Sequence, residues 1–285
     1  MNTVEVPAGP ITFIDTGGPG STIVFLHGLL MDASLWDQVI DDLRRDYRCI
    51  APTLPLGAHQ TPMAPNTDLS LPGIARLVNE FMTSLDLADV TLIGNDTGGA
   101  IVQLLVTQGP NPRVSRICLA SCEAFDNVPP GLTGKTVVAA GKLPPTLFGL
   151  FMQQMRLRPL RRLPVAFGWL TKKGDAATAR WMQPLLHKSG IRRDATKVLR
   201  AIGKDRKILV AAAEQLAQFT GRSLVVWAKD DRVMPPDHGH RLAALLTNCD
   251  HVEIPDSYTL LPLDQPAALA KAIRHFLAPP ATDRV

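Results

Sequence analysis

The sequence predicts an α/β protein: a mostly parallel eight-stranded sheet with helices on both faces and a helical cap inserted after strand 6. Three observations carry this. Short continuous apolar runs alternate with stretches of helical spacing through the first 120 residues. The alternation stops near Pro129, and for about 85 residues helical patches broken by LPP, RPL and RLP replace it. It then resumes at Arg222. Strands buried on both faces read as unbroken apolar runs, and right-handed crossovers between strand–helix units produce a parallel sheet clad by helices. The expected boundaries are core 1–128, cap 129–220 and core 221–285.

Taken in order, TVEV and ITFIDT read as an opening hairpin, and TIVFLHG (22–28) as a fully buried strand. SLWDQVIDDLRR (34–45) has helical spacing, with Ser34 as the expected N-cap. YRCIAPT is a strand, and LPGIARLVNEFMTSLDL (71–87) a helix with Pro72 in its first turn. The strand DVTLIGN, the helix TGGAIVQLLVTQ and the strand VSRICLAS complete the first half. After the cap come the strand RSLVVWAKDD, the helix GHRLAALLT, the strand HVEIPD and the helix QPAALAKAIRHFLA, with the last six residues as a loose tail.

The 285 residues, 46% of them hydrophobic, supply apolar material for a sizeable core. The N-terminal stretch lacks a basic and then apolar leader pattern, and no apolar run approaches the roughly 18 residues needed to span a bilayer. The four cysteines, Cys49, Cys118, Cys122 and Cys249, show no metal-ligand spacing and read as reduced, mostly buried thiols. A cytoplasmic monomer or homodimer with no cofactor and no metal is expected. A net charge of +4 conceals an asymmetry: residues 131–215 hold 17 Lys and Arg against 4 Asp and Glu, while the remainder holds 13 against 22. Arg156, Arg158, Arg161 and Arg162 read either as a solvated face or as an attractor for an anionic substrate or acidic surface. No nucleic-acid-binding motif is present.

The stretch IGNDTGGAIVQ (93–103) carries the chemistry. Asp96 stands on a glycine-flanked turn between an apolar strand and an apolar helix; helix capping is its plain structural alternative. Gly94-Asn95-Asp96-Thr97-Gly98 matches a nucleophile elbow, whose tight turn leaves no room for flanking side chains. His27-Gly28 lies upstream and Trp227-Ala-Lys-Asp-Asp231 downstream.

With these landmarks in this order, the chain resembles the α/β-hydrolase superfamily, and its Asp96 resembles the nucleophile of the haloalkane dehalogenase and epoxide hydrolase branch. The resemblance implies an α/β-hydrolase fold in which a carboxylate attacks carbon and a His-activated water hydrolyses the resulting ester. It also implies an oxyanion hole formed by the N–H groups of Leu29 and Thr97, and a triad acid at Asp231 or, in the alternative location after the sixth strand, at Glu123.

The departures narrow the chemistry. Dehalogenases follow the nucleophile with Trp and the HG motif with Asn, where this chain has Thr97 and Leu29, so a halide would lose its usual stabilisation. Epoxide hydrolases use cap tyrosines, and this cap has none. Aligned on IPD and QP, the family's base histidine falls at Thr259, beside Tyr258; neither titrates as a base near neutral pH. Among the other histidines, His27 belongs to the HG motif, and His59 and His187 are the candidates to border the pocket. Phe148, Phe151, Phe167, Trp169 and Trp181 are candidates for an apolar pocket roof.

Two readings follow. One is an enzyme acting through Asp96 on a small, mainly apolar molecule, by hydrolysis or as the general base of a lyase, isomerase or cyclase. The other is a non-catalytic small-molecule binder that kept the pocket.

Overall fold

The structure is a computed structural model that describes residues 1–109 and 111–278. The tail expected over the last six residues lies outside the described residues. Strands β1 (Asn2–Val6) and β2 (Gly9–Asp15) form the opening hairpin, and β2 runs antiparallel to β4 (Arg48–Pro52). Strands β3 (Thr22–Leu26), β5 (Val90–Asp96), β6 (Val114–Cys122), β7 (Arg222–Ala228) and β8 (Cys249–Ile254) continue the sheet in parallel. The order β1-β2-β4-β3-β5-β6-β7-β8 makes one eight-stranded sheet, as the alternation of runs predicts. Every residue of β5 is buried, so the strand that delivers Asp96 is gripped on both faces.

Helices α1 (Asp37–Leu43), α2 (Leu71–Ser84) and α3 (Thr97–Thr107) cover the first half of the sheet. The Ser70 hydroxyl caps α2 by accepting the Gly73 N–H at 3.2 Å. The expected cap at Ser34 is corrected. Asp32 accepts the Ser34 N–H at 2.9 Å and opens a 3-10 turn, Ala33–Trp36, before α1 starts at Asp37. Ser34 is occupied elsewhere: its hydroxyl receives the Trp181 indole N–H at 2.9 Å from a residue 147 positions away.

Between β6 and β7, α4 (Gly131–Ala140) and α5 (Pro145–Met152) lead a series of helices that includes Asp175–Trp181 and Ser189–Lys204, with no strand among the described residues. Buried contacts tie this segment to the sheet. Asp194, on Ser189–Lys204, lies 3.2 Å from His59 Nε2 and accepts the Met63 N–H at 2.8 Å. On the other side Asp264 accepts the Thr171 hydroxyl at 2.7 Å, and the Leu260 N–H donates to the Leu170 carbonyl at 2.8 Å.

Candidate active site

Asp96 ends β5 with φ 55° and ψ −129°, a conformation sparsely populated by any residue with a side chain. The turn survives because its surroundings over-determine it. A Cβ on Gly94 would strike the backbone of Gly98, and one on Gly98 would strike the Leu26 carbonyl, so strand, turn and helix touch backbone to backbone. Gly28 meets the same requirement from the neighbouring strand, because a Cβ there would lie 2.5 Å from Asp96 Oδ2. The Asp96 carboxyl makes no N-capping hydrogen bond into α3, and its neighbours there are the backbone and hydroxyl of Thr97.

It projects into a cavity with about 100 Å³ of room for the centres of water-sized spheres, several waters' worth or a small organic molecule. Leu29, Thr97 and Glu123 share the wall with Asp96. The rest is largely apolar, contributed by the cap through residues such as Val137, Met152 and Phe167. Thr97 is the first residue of α3, so its N–H has no partner within the helix. Leu29 precedes Leu30, whose own N–H is held by the Leu56 carbonyl at 2.9 Å.

The electrostatics follow from burial. Asp96 is pushed up to about 7 by loss of solvent, reinforced by the charge of Asp231 and opposed by the backbone and hydroxyl of Thr97. Glu123 is raised well above the ordinary carboxylate range by burial and by Asp96. Its Oε1 accepts the Thr97 hydroxyl at 3.4 Å, while its Oε2 is buried without a partner among the described residues. Two carboxyl groups therefore share one largely apolar cavity, and burial biases Glu123 towards its neutral form.

Asp231 holds its loop by accepting the N–H groups of Val233 and Met234, each at 2.9 Å. The same Oδ1 accepts the Thr259 hydroxyl at 2.8 Å. Burial raises Asp231 to about 6 despite these donors. Asp231 and Thr259 do not line the cavity, and Thr259 is wholly buried. Tyr258 faces outward, its ring 4.9 Å from both Lys172 Nζ and the Arg232 guanidinium carbon.

The histidines considered for the pocket sit elsewhere. His27 accepts the Leu54 N–H on Nε2 at 2.8 Å, which places its proton on Nδ1, facing the Gly28 carbonyl at 2.8 Å; burial lowers it to about 4. It is a neutral brace for the HG loop. His59 is spent on Asp194. His187 is exposed, bound to the Gln183 carbonyl at 2.9 Å and to Arg156 at 3.0 Å. Trp181 is fully buried against Ser34 rather than in the roof. Of the other roof candidates Phe151 and Phe167 line the cavity, whereas Phe148 and Trp169 do not. No cluster of three or more His, Cys, Asp or Glu among the described residues is arranged to hold a metal ion.

Two positioning residues escaped the sequence reading. Asn95 donates its amide to the carbonyls of Ala120 at 2.8 Å and Thr259 at 2.7 Å, stapling the elbow to the loop after β8. Gln103 donates to the Glu123 carbonyl at 2.8 Å and fixes that residue against α3. An Asn directly before the elbow residue and a Gln seven positions after it, on the buried face of α3, are weak signals that gain meaning only once the partner strand is in place.

Comparison with known proteins agrees with this architecture. A haloalkane dehalogenase from Mesorhizobium japonicum is 31% identical over 100 residues, a match spanning 35% of this chain and 32% of that protein's length. A 2-hydroxy-6-oxononadienedioate/2-hydroxy-6-oxononatrienedioate hydrolase from Cupriavidus pinatubonensis is 26% identical over 239 residues, covering 82% of this chain and 78% of that one. The crystal structure of an ancestral haloalkane dehalogenase superposes with a TM-score of 0.78 over 97% of this chain and 98% of that one; its 18% identity makes this a likeness of fold alone. The sequence pattern of the alpha/beta hydrolase fold matches residues 21–266, from β3 through the loop after β8, and the chain belongs to that family.

Proposed function

We propose that the chain is an α/β-hydrolase-fold enzyme that acts through Asp96 on a small, mainly apolar molecule, with its hydrolytic half-reaction impaired or replaced. One observation carries this reading: the carboxyl is held on a strained turn in a largely apolar cavity, while a threonine hydroxyl occupies the bond to Asp231. As a nucleophile, an Asp96 oxygen would form a bond to an electrophilic carbon as the leaving group departs with its electron pair. The resulting ester needs a base to activate water, and a threonine hydroxyl is effectively never ionised. The ester would persist.

The position of Asp96 near 7 favours a second use. A carboxylate whose pKa lies near the working pH is matched to proton abstraction. It would take a proton from carbon next to a carbonyl, the electron pair would move onto the carbonyl oxygen, and the N–H groups of Leu29 and Thr97 would hold that oxyanion. Glu123, neutral beside it, would supply a proton to the same oxygen.

Mass spectrometry of the intact protein after incubation with alkyl halides, epoxides and aryl esters tests the reading. A persistent adduct mapping to Asp96, absent from Asp96→Asn and released by Thr259→His, is the result expected of the nucleophile. Deuterium exchange at carbon next to a carbonyl, without adduct, is the result expected of the general base. Neither adduct nor exchange with any probe would leave a binding protein and overturn the catalytic reading.

A further inference from the structure

Residues 127–174 contain no Asp or Glu and eight Lys or Arg. The same stretch holds most of the molecule's exposed large apolar side chains among the described residues. Leu147, Leu150 and Phe151 stand at i, i+3 and i+4 on α5 and so share one face; Leu150 is 70% exposed and Leu147 51%. Leu143 borders a shallow surface depression together with Phe151. Phe151, Leu163 and Val165 are at once solvent-exposed and part of the wall of the cavity that holds Asp96, so they form its mouth. Lys135 borders the same depression, Lys142 precedes Leu143 in the chain, and Arg156 and Arg162 adjoin the cavity-lining Met155 and Leu163; all four are exposed and make no ion pair among the described residues.

Scattered exposed leucines are unremarkable, but a contiguous apolar patch ringed by charges of one sign marks a docking surface. The charge decides between occupants. A second copy of this chain would meet the patch through a two-fold contact, bringing the same cations face to face in a desolvated interface. An anionic lipid surface offers the opposite sign to the ring and an apolar layer to the leucines. No described helix is long and apolar enough to cross a membrane, so attachment would be peripheral.

We propose that this face of the cap seats on an anionic bilayer, with Leu147 and Leu150 entering the lipid boundary, and that the cavity draws apolar substrate directly from the lipid. The docking half stands on the surface alone; the uptake half rests on the reading of the cavity as the substrate site.

Co-sedimentation of the full chain with phosphatidylcholine vesicles, with and without phosphatidylserine, tests it. Binding should require phosphatidylserine and weaken steeply with salt. Leu147→Glu with Leu150→Glu should reduce it at least tenfold with an unchanged melting midpoint, and each of Arg156→Gln and Arg162→Gln should reduce it about fivefold. Asp96→Asn should bind as the wild type does, which separates docking from chemistry. Absence of binding, equal binding to neutral vesicles, or indifference to the leucine variants would overturn the proposal. So would a dimer in light scattering that Leu150→Glu dissolves while no vesicle binds.

Discussion

Asp96, Glu123 and Asp231 are all buried carboxyls raised above their free values, and that has a measurable consequence for stability. A group whose folded pKa lies above its unfolded one favours folding fully below the unfolded value and loses that contribution as pH rises through the folded value. For Asp96 the window runs from 3.8 to about 7, so the melting temperature should fall between about pH 4 and pH 8. Asp96→Asn should flatten that slope and stabilise the protein at about pH 8 by roughly 2–4 kcal/mol, measured by calorimetry. The chemistry has the opposite slope, because nucleophile and base both need the ionised form. The rate of Asp96 labelling or exchange should rise with pH around a midpoint near 7, and Asp231→Asn should lower that midpoint by removing a like charge. A midpoint left at an ordinary aspartate value would show that the cavity does not desolvate the group. At this scale the sequence marked Asp96 and Thr259 by type and spacing. It could not show that Thr259 donates to Asp231, or that His59 is taken by Asp194, because those partners stand 28 and 135 residues away.

At the scale of elements, what was legible depended on how local the cause is. The central strands announce themselves because being covered on both faces forces continuous apolar runs, and the elbow announces itself because backbone contact forces glycine at 94 and 98. The start of α1 was misread because Asp32 and Ser34 are both capping types, and the choice fell to Trp181 and Arg180, which hold Ser34 from across the molecule. Gly28 shows the elements acting together, since a residue after β3 limits where a side chain at the end of β5 can stand. Gly28→Ala should therefore lower the melting midpoint, because its methyl would lie 2.6 Å from Asp96 Cβ, an atom that no side-chain rotation can move, and the turn must shift to admit it. Its added methyl must displace the Asp96 carboxyl by overlapping Oδ2, and misplacement of a reacting group by about 1 Å costs on the order of 10²-fold in rate. Labelling of Asp96 should slow by about that factor, read by the same intact-mass assay. An unchanged rate would mean that the backbone after β3 yields to the methyl while the Asp96 carboxyl keeps its place.

The whole molecule is electrically two-sided, with residues 131–215 carrying 17 cationic against 4 anionic side chains and the remainder 13 against 22. The sequence made that division plain, and it made the sheet plain. It did not reveal which cap side chains would line the cavity, since Phe151 and Phe167 face it while Phe148 and Trp181 pack away for reasons of tertiary fit. The exposed Arg156 and Arg162 adjoin in the chain the cavity-lining Met155 and Leu163, and a cleft flanked by one sign of charge raises the local concentration of ligands of the opposite sign. Capture of a carboxylate-bearing electrophile should therefore outpace that of its neutral ester by about tenfold at low ionic strength. The advantage should shrink as salt shortens the reach of the field to about 10 Å at 0.1 M and less above it. Arg156→Gln with Arg162→Gln should remove most of the advantage while leaving the neutral probe's rate unchanged, because neither side chain lines the cavity. If neutral and anionic probes show the same salt dependence, the basic cap does not steer substrate and its charge serves the surface alone.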